Sequence, residues 1–135
     1  MEQVSRMSGG WVNPEEEKLQ EKIYQSRLLL VYGDLLTDTV KRSCELVIGQ
    51  DLTAAEAGEK IGCSRQAVGQ NVQRGLDLME NYEDNLDILH FKDSMMEQLK
   101  LLQSSIGRLD ITQANRILDM IIQNFQNYLE NDSCP

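Results

Sequence analysis

Proline is nearly missing. Pro14 and Pro135 are the only two, so no proline forbids helix anywhere in the 120 residues between them. Aromatic residues make up 5 % against 41 % apolar overall, so a core would be mostly aliphatic. Histidine occurs once, at His90, with no nearby cysteine in the sequence, and it reads as a structural residue in a helical pattern beside Phe91. The three cysteines, Cys44, Cys63 and Cys134, are odd in number and widely spaced. They fit neither a zinc pattern nor a disulfide framework. Cys44 and Cys63 are expected to act as small buried hydrophobes, as suits the reducing cytoplasm. The longest apolar run, Leu28–Tyr32, is far too short to span a membrane. The opening MEQVSRMSGG has no apolar stretch of the kind a secretory signal needs, so cytoplasmic location is expected.

Chemical signatures are also lacking. There is no H-E-x-x-H, no calcium-binding loop, no cysteine ligand pair and no glycine-rich phosphate loop. The Met95-Met96 pair reads as core filler. No enzyme activity, cofactor or metal is expected. Positive charge is scarce too: 13 basic residues face 22 acidic ones, for a net charge of −9 and a pI of about 4.5. Such acidity argues against broad, non-specific nucleic-acid binding but leaves room for a local basic face.

That face is present. Residues 1–59 carry net −5 and residues 77–135 carry net −7, whereas residues 60–76 hold Lys60, Arg65 and Arg74 with no acid, net +3. The stretch from Leu52 to Leu76, which contains it, has the layout of two helices joined by a tight turn. Thr53 is a good N-cap, and Glu56 can complete a capping box. The first helix should run to Lys60 or Ile61, with Gly62 in the turn and Ser64 capping the second helix. Gly58 should let the second helix come close, and Ile61, Cys63, Val68 and Val72 should form a small core between the two. Val68, Val72, Leu76 and Met79 predict the inner face of the second helix. Lys60, Ser64, Arg65, Gln66, Gln70, Gln73 and Arg74 lie off that stripe and are the candidate nucleic-acid-binding residues. Arginine suits guanine edges and phosphates, and glutamine suits adenine edges.

Around this motif the pattern stays helical, and the expected fold class is all-α: a helix-turn-helix domain without a wing, followed by a C-terminal helical hairpin. Residues 1–14 read as a disordered tail, with Trp11 docking loosely on the folded part. Residues 15–87 read as the helix-turn-helix domain. Its first helix starts after Pro14 with Glu15, Glu16 and Glu17 in the first turn, and has apolar positions at Leu19, Ile23, Leu28–Val31 and Leu35, with a break near Ser26 or Gly33. The next opens at Thr37, carries an inner stripe of Val40, Cys44, Val47 and Ile48, turns Lys41 and Arg42 outward, and closes at Gly49-Gln50-Asp51.

From Asp77 the helix should continue unbroken, with an acidic, solvated face of Asp77, Glu80, Glu83, Asp84 and Asp87. That face repels phosphate within a Debye length. Residues 88–135 read as the hairpin. Ile88, Phe91, Met95, Leu99 and Leu102 mark its first helix, and Ser104–Gly107 a break. Asp110 or Thr112 caps a last helix, with Ala114, Ile117, Leu118, Ile121, Ile122, Phe125, Tyr128 and Leu129 on its apolar stripe. A stripe that wide needs burial, and a second copy of the chain is the expected partner, making a homodimer. The acidic and apolar C-terminal helices also fit a protein-interaction module that makes no use of nucleic acid.

The run Ser64-Arg65-Gln66-Ala67-Val68, followed by Asn71-Val72-Gln73-Arg74, resembles the YlxM family of small bacterial helix-turn-helix proteins. Tyr32-Gly33-Asp34-Leu35-Leu36-Thr37 upstream and Glu80-Asn81-Tyr82-Glu83-Asp84-Asn85-Leu86 downstream match the same pattern, so the resemblance spans roughly residues 28–91. That family is similar to the promoter-reading helix-turn-helix of sigma factors. The resemblance implies a DNA- or RNA-binding regulator working through residues 60–75, in the signal recognition particle pathway and with that particle's protein or RNA as a partner. It also places a basic pair at Lys41 and Arg42. The chain departs from the pattern at Gly69 and Gln70, where the family more often carries an aromatic or histidine and then an acid. Ala57 and Gly58 stand in place of a larger aliphatic and an alanine, which predicts thinner packing between the two helices.

Overall fold

The computed structural model describes residues 5–7 and 10–131. Its architecture is all-α: six α-helices lie among the described residues, with one short strand pair ahead of them. Contacts divide the chain into two compact units, the first ending at Asp84 and the second beginning at Asn85. Among the described residues no helix is long and apolar enough to cross a membrane.

At the N-terminus, where the polar composition predicts a disordered tail, β1 (Ser5–Met7) pairs antiparallel with β2 (Gly10–Val12), Arg6 opposite Trp11. Residues 1–4 and 8–9, and the expected docking of the Trp11 side chain, lie outside the described residues.

α1 (Pro14–Tyr32) starts as its sequence predicts. The Glu15 amide donates to Asn13 Oδ1 at 3.1 Å, Pro14 occupies the first turn, and Glu15, Glu16 and Glu17 sit at the positive end of the dipole. It tightens into a 3₁₀ turn over Gly33–Leu35, at the second of the two predicted breaks. Its apolar positions do not all turn inward. Leu28, Tyr32 and the following Leu36 are buried, whereas Leu19, Ile23, Leu30 and Leu35 are exposed: burial is confined to one face of the C-terminal part of α1 and the turn after it.

α2 (Asp38–Cys44) begins after Thr37, whose backbone takes the extended N-cap conformation without a side-chain cap bond. It passes directly into a π-helical turn over Glu45–Gly49. The wider turn changes which residues point inward. Val40 and Cys44 are buried as expected, but Ser43 and Leu46 join them, while Val47 and Ile48 are only half-buried.

α3 (Ala54–Ile61) and α4 (Arg65–Leu86) complete the first unit. The buried line of α4 is Val68, Gly75, Met79 and Glu83, with Val72 and Leu76 half-buried. Gly75 sets the approach to α2: a Cβ there would collide with the Cys44 sulfur and lie 3.1 Å from Val40 Cγ1. The helix does not run on past the acidic stretch. It stops at Leu86, and Asp87 takes a left-handed backbone (φ 55°). Aspartate reaches this conformation more readily than most residues, so neither glycine nor proline is needed for the break.

The second unit is an antiparallel pair, α5 (Ile88–Gly107) and α6 (Ile111–Asn131). α5 runs straight through Ser104–Gly107, where a break is predicted. Buried Ser105 keeps its hydroxyl satisfied by donating to the Leu101 carbonyl at 3.0 Å, so a serine pair need not end a helix. The turn follows at Arg108–Asp110, with Leu109 at φ 57°. Of the two predicted caps, Asp110 is the one used, its Oδ1 accepting from the Gln113 amide at 3.0 Å. Phe91 stacks on Tyr128 with ring centroids 4.1 Å apart, and the Asn124 amide donates to Ser94 Oγ at 3.2 Å. Leu89, Ala114, Ile117 and Ile121 are buried, but Leu118, Ile122, Phe125 and Leu129 of the predicted stripe stay exposed.

Candidate nucleic-acid interface

The motif is held from its first residue. The Glu56 amide donates to Thr53 Oγ1 at 3.2 Å while the Thr53 amide donates back to Glu56 Oε1 at 3.2 Å, closing the predicted capping box. The Thr53 hydroxyl bond, then the Thr53 amide, hold the Glu56 carboxyl below its ordinary range. Gly62 ends α3 in a left-handed conformation (φ 72°), and the Cys63 amide returns to the Gly58 carbonyl at 3.0 Å. Gly58 is required by this turn. A Cβ there would sit 2.5 Å from the Cys63 carbonyl oxygen, so the glycine takes the close approach of the turn's own backbone. Ser64 then caps α4, its Oγ accepting from the Ala67 amide at 3.1 Å. Beneath the turn, Leu46, Ala57 and Val68 form a buried cluster, with Ile61, Cys63 and Val72 packed against it. The four predicted core residues are therefore in place. Leu46, delivered by the π turn, and Ala57 sit at the centre, so the small residues at 57 and 58 fit the packing rather than thin it.

All seven candidate residues are exposed: Lys60 at the end of α3, Ser64 in the turn, and Arg65, Gln66, Gln70, Gln73 and Arg74 on α4. Among the described residues, Lys60, Arg65 and Arg74 take part in no ion pair. Gln73 is partly engaged, its amide donating to Asp77 Oδ1 at 2.9 Å. A shallow groove of about 540 Å³ runs along α4 past Gln70, Gln73, Arg74 and Asp77, so the acidic stretch begins within the candidate surface itself. Gly69, just before Gln70, is exposed, and a Cβ there would meet no neighbouring side chain or other element within 4 Å. Bulk at that position would project outward, and its loss bares backbone rather than opening a hole in the core.

Lys41 and Arg42 are less available. Lys41 Nζ lies 2.7 Å from Asp34 Oδ1 and 4.0 Å from Glu45 Oε1, and Arg42 lies 3.7 Å from Glu45. The Asp34 bond raises the Lys41 amine and lowers the Asp34 carboxyl. The acidic stretch is not uniformly solvated either. Asp77, Glu80, Asp84 and Asp87 are exposed, but Glu83 is buried against Tyr32. His90 is exposed, and among the described residues no three of His, Cys, Asp and Glu gather to hold a metal ion.

A capped helix, a three-residue turn with left-handed glycine, and a second helix over a shared core define a helix-turn-helix protein. The family follows from comparison. Residues 19–127 match the model of the family described as "UPF0122: Putative helix-turn-helix protein, YlxM / p13 like", and the chain belongs to that family. It is a family of helix-turn-helix proteins rather than of enzymes. The chain is 34 % identical over 114 residues to a UPF0122 protein of Clostridium kluyveri, covering 84 % of this chain and 99 % of the relative. It is 32 % identical over 106 residues to one of Fusobacterium nucleatum (78 % and 96 % covered) and 29 % identical over 117 residues to one of Acetivibrio thermocellus (82 % and 99 % covered). No solved structure matches the chain.

Proposed function

We propose that the face running from Lys60 to Arg74 binds nucleic acid, making this a regulatory or accessory protein of the bacterial cytoplasm. The observation that supports this best is the acid-free window: three exposed cations without ion-pair partners among the described residues, beside exposed glutamines on the first turns of a capped helix. In this reading Arg65, Gln66 and Gln70 lie nearest the bases, Lys60 and Arg74 hold phosphates, and Ser64 and Gln73 border the contact. The footprint is short, because Asp77 and the acids beyond it repel a phosphate backbone. Bare backbone at Gly69 lets a groove come close. The resemblance to the YlxM family implies a role in protein targeting, so the RNA of the signal recognition particle is the first structured RNA to try.

The test is a salt-titrated binding assay of the full chain with duplex DNA, that RNA, and the particle's protein, repeated with Arg65→Ala plus Arg74→Ala. Nucleic-acid binding should weaken steadily with salt and fall at least about tenfold in the double variant. Binding to the protein component alone, unmoved by the two substitutions, would overturn the reading in favour of a protein-interaction module.

A further inference from the structure

Within the second unit α6 carries two seams of heptad spacing; one is filled, and the other stays exposed, though its Phe125 also meets α5, with its ring centroid 5.7 Å from that of Phe91. Ala114, Ile117 and Ile121, continued by Asn124 and Tyr128, recur at three and four residues and face α5. One position further round, Ile111, Asn115, Leu118, Ile122, Phe125 and Leu129 recur at four and three, and all are exposed, the apolar ones between 42 % and 72 %. Spacing of this kind marks a helix that packs against two neighbours. α5 does the same: Met96, Leu99, Gln103 and Ile106 form a second exposed line. The two unfilled lines flank one surface. Leu102 and Ala114 line a cavity of about 310 Å³ that is rimmed by Ile106, Ile111, Asn115 and Leu118. It adjoins a second of about 450 Å³ that shares Leu102 and Ile106.

We infer that this face pairs with the same face of a second copy of the chain, closing a two-fold-symmetric four-helix bundle. Three observations favour that occupant. Neither unfilled line contains a charged residue, and the two cavities are charged only at Lys100 and Asp110, so a mainly apolar partner surface fits, such as this surface itself. The half-exposed side chains leave on the order of 800 Å², the share one partner contributes to a standard stable interface. Asn115 is the one polar position in the α6 line, and a single such asparagine sets register and oligomer state because it must find a polar mate across the seam. An anionic lipid surface fits poorly, since residues 85–135 carry 4 basic and 7 acidic side chains. The inference makes no assumption about what α4 touches.

The test is sedimentation velocity on the full chain from low to several hundred micromolar, compared with Leu118→Glu plus Ile122→Glu and, separately, Asn115→Ile. The native chain should run at twice the chain mass. The double glutamate variant should keep its helical circular dichroism and dissociate at least about tenfold more readily. Asn115→Ile adds no charge and should associate more tightly or into larger species, which reads the seam even where the first variant folds poorly. A native chain that stays monomeric throughout, a dimer untouched by the glutamates, or an Asn115→Ile variant with native association would each overturn the inference. None of these outcomes depends on nucleic acid, so failure here leaves the reading of α4 standing.

Discussion

The Tyr32 hydroxyl donates to Glu83 Oε1 at 2.6 Å, joining the last residue of α1 to α4 across 51 positions of sequence. Both side chains are buried, and the tyrosine ring also lies 6.0 Å, centroid to centroid, from that of Tyr82. A hydrogen bond to a carboxylate is short and about twice as strong as a neutral one. Tyr32→Phe should therefore cost about 1–3 kcal/mol in urea denaturation, an amount that reflects the lost bond because the ring is kept. Glu83→Gln, which retains an acceptor for the hydroxyl, should cost less. A double-mutant cycle should show the two positions coupled.

The glycines of α4 should respond in opposite directions. At Gly75 a methyl group meets the Cys44 sulfur and Val40, so Gly75→Ala should destabilise by about 1–3 kcal/mol through overpacking. Cys44→Ala should recover part of that loss by making room. At Gly69 the methyl meets nothing, and Gly69→Ala should stabilise by about 0.5–1 kcal/mol through helix propensity alone. Thermal or denaturant melting of the two variants side by side gives the comparison, and equal effects would contradict the packing described for Gly75.

Cys44 supplies a pH dependence with a definite sign. Burial first, and then the neighbouring Glu45 charge, push its thiol from 9.0 up to about 11. The folded state thus holds the proton more tightly than the unfolded chain. Below pH 9 this group leaves stability unchanged, and as pH rises from about 9 to about 11 stability should fall, by up to about 2–3 kcal/mol in total. Cys44→Ala should flatten that fall. In the native protein at neutral pH, Cys44 should also alkylate far more slowly than the half-buried Cys63, as peptide mass mapping would read.

The helix-turn-helix was legible because its determinants are local. Thr53 and Glu56 close a box three residues apart, Gly62 meets a backbone requirement within one turn, and Ser64 caps the residue three ahead. Each such contact is present in the sequence as a spacing, and so was the set of four core residues between the helices. The exposed placement of the seven candidate side chains followed from the same periodicity. What periodicity missed depends on partners far along the chain. The π turn after Cys44 brings Leu46 under α3 and α4, and a fixed 3.6-residue period cannot anticipate it. Gly75 lies outside the predicted inner face of Val68, Val72, Leu76 and Met79. Its seven-residue spacing from Val68 was the available hint, but only the sulfur of Cys44 explains it. Glu83 looked like one more acid on a solvated face until Tyr32 came to cover it.

The helix ends beyond α4 divide along the same line. Asp110 as a cap is a local choice, and it was readable. The stop at Asp87 and the survival of α5 through Ser104–Gly107 were not, because aspartate tolerates a left-handed backbone and serine can bond its own helix. In this protein the sequence by itself determined where the helices of the motif begin and turn, and that the longest acid-free stretch, residues 60–76, lies mostly on the second of them, since caps, turns and charge act over a few residues. Tertiary structure alone decided which apolar residues those helices bury, which acid is taken inward, and which seam of α6 is left open. Burial is set by the neighbouring helix, and no spacing within a single helix names its neighbour.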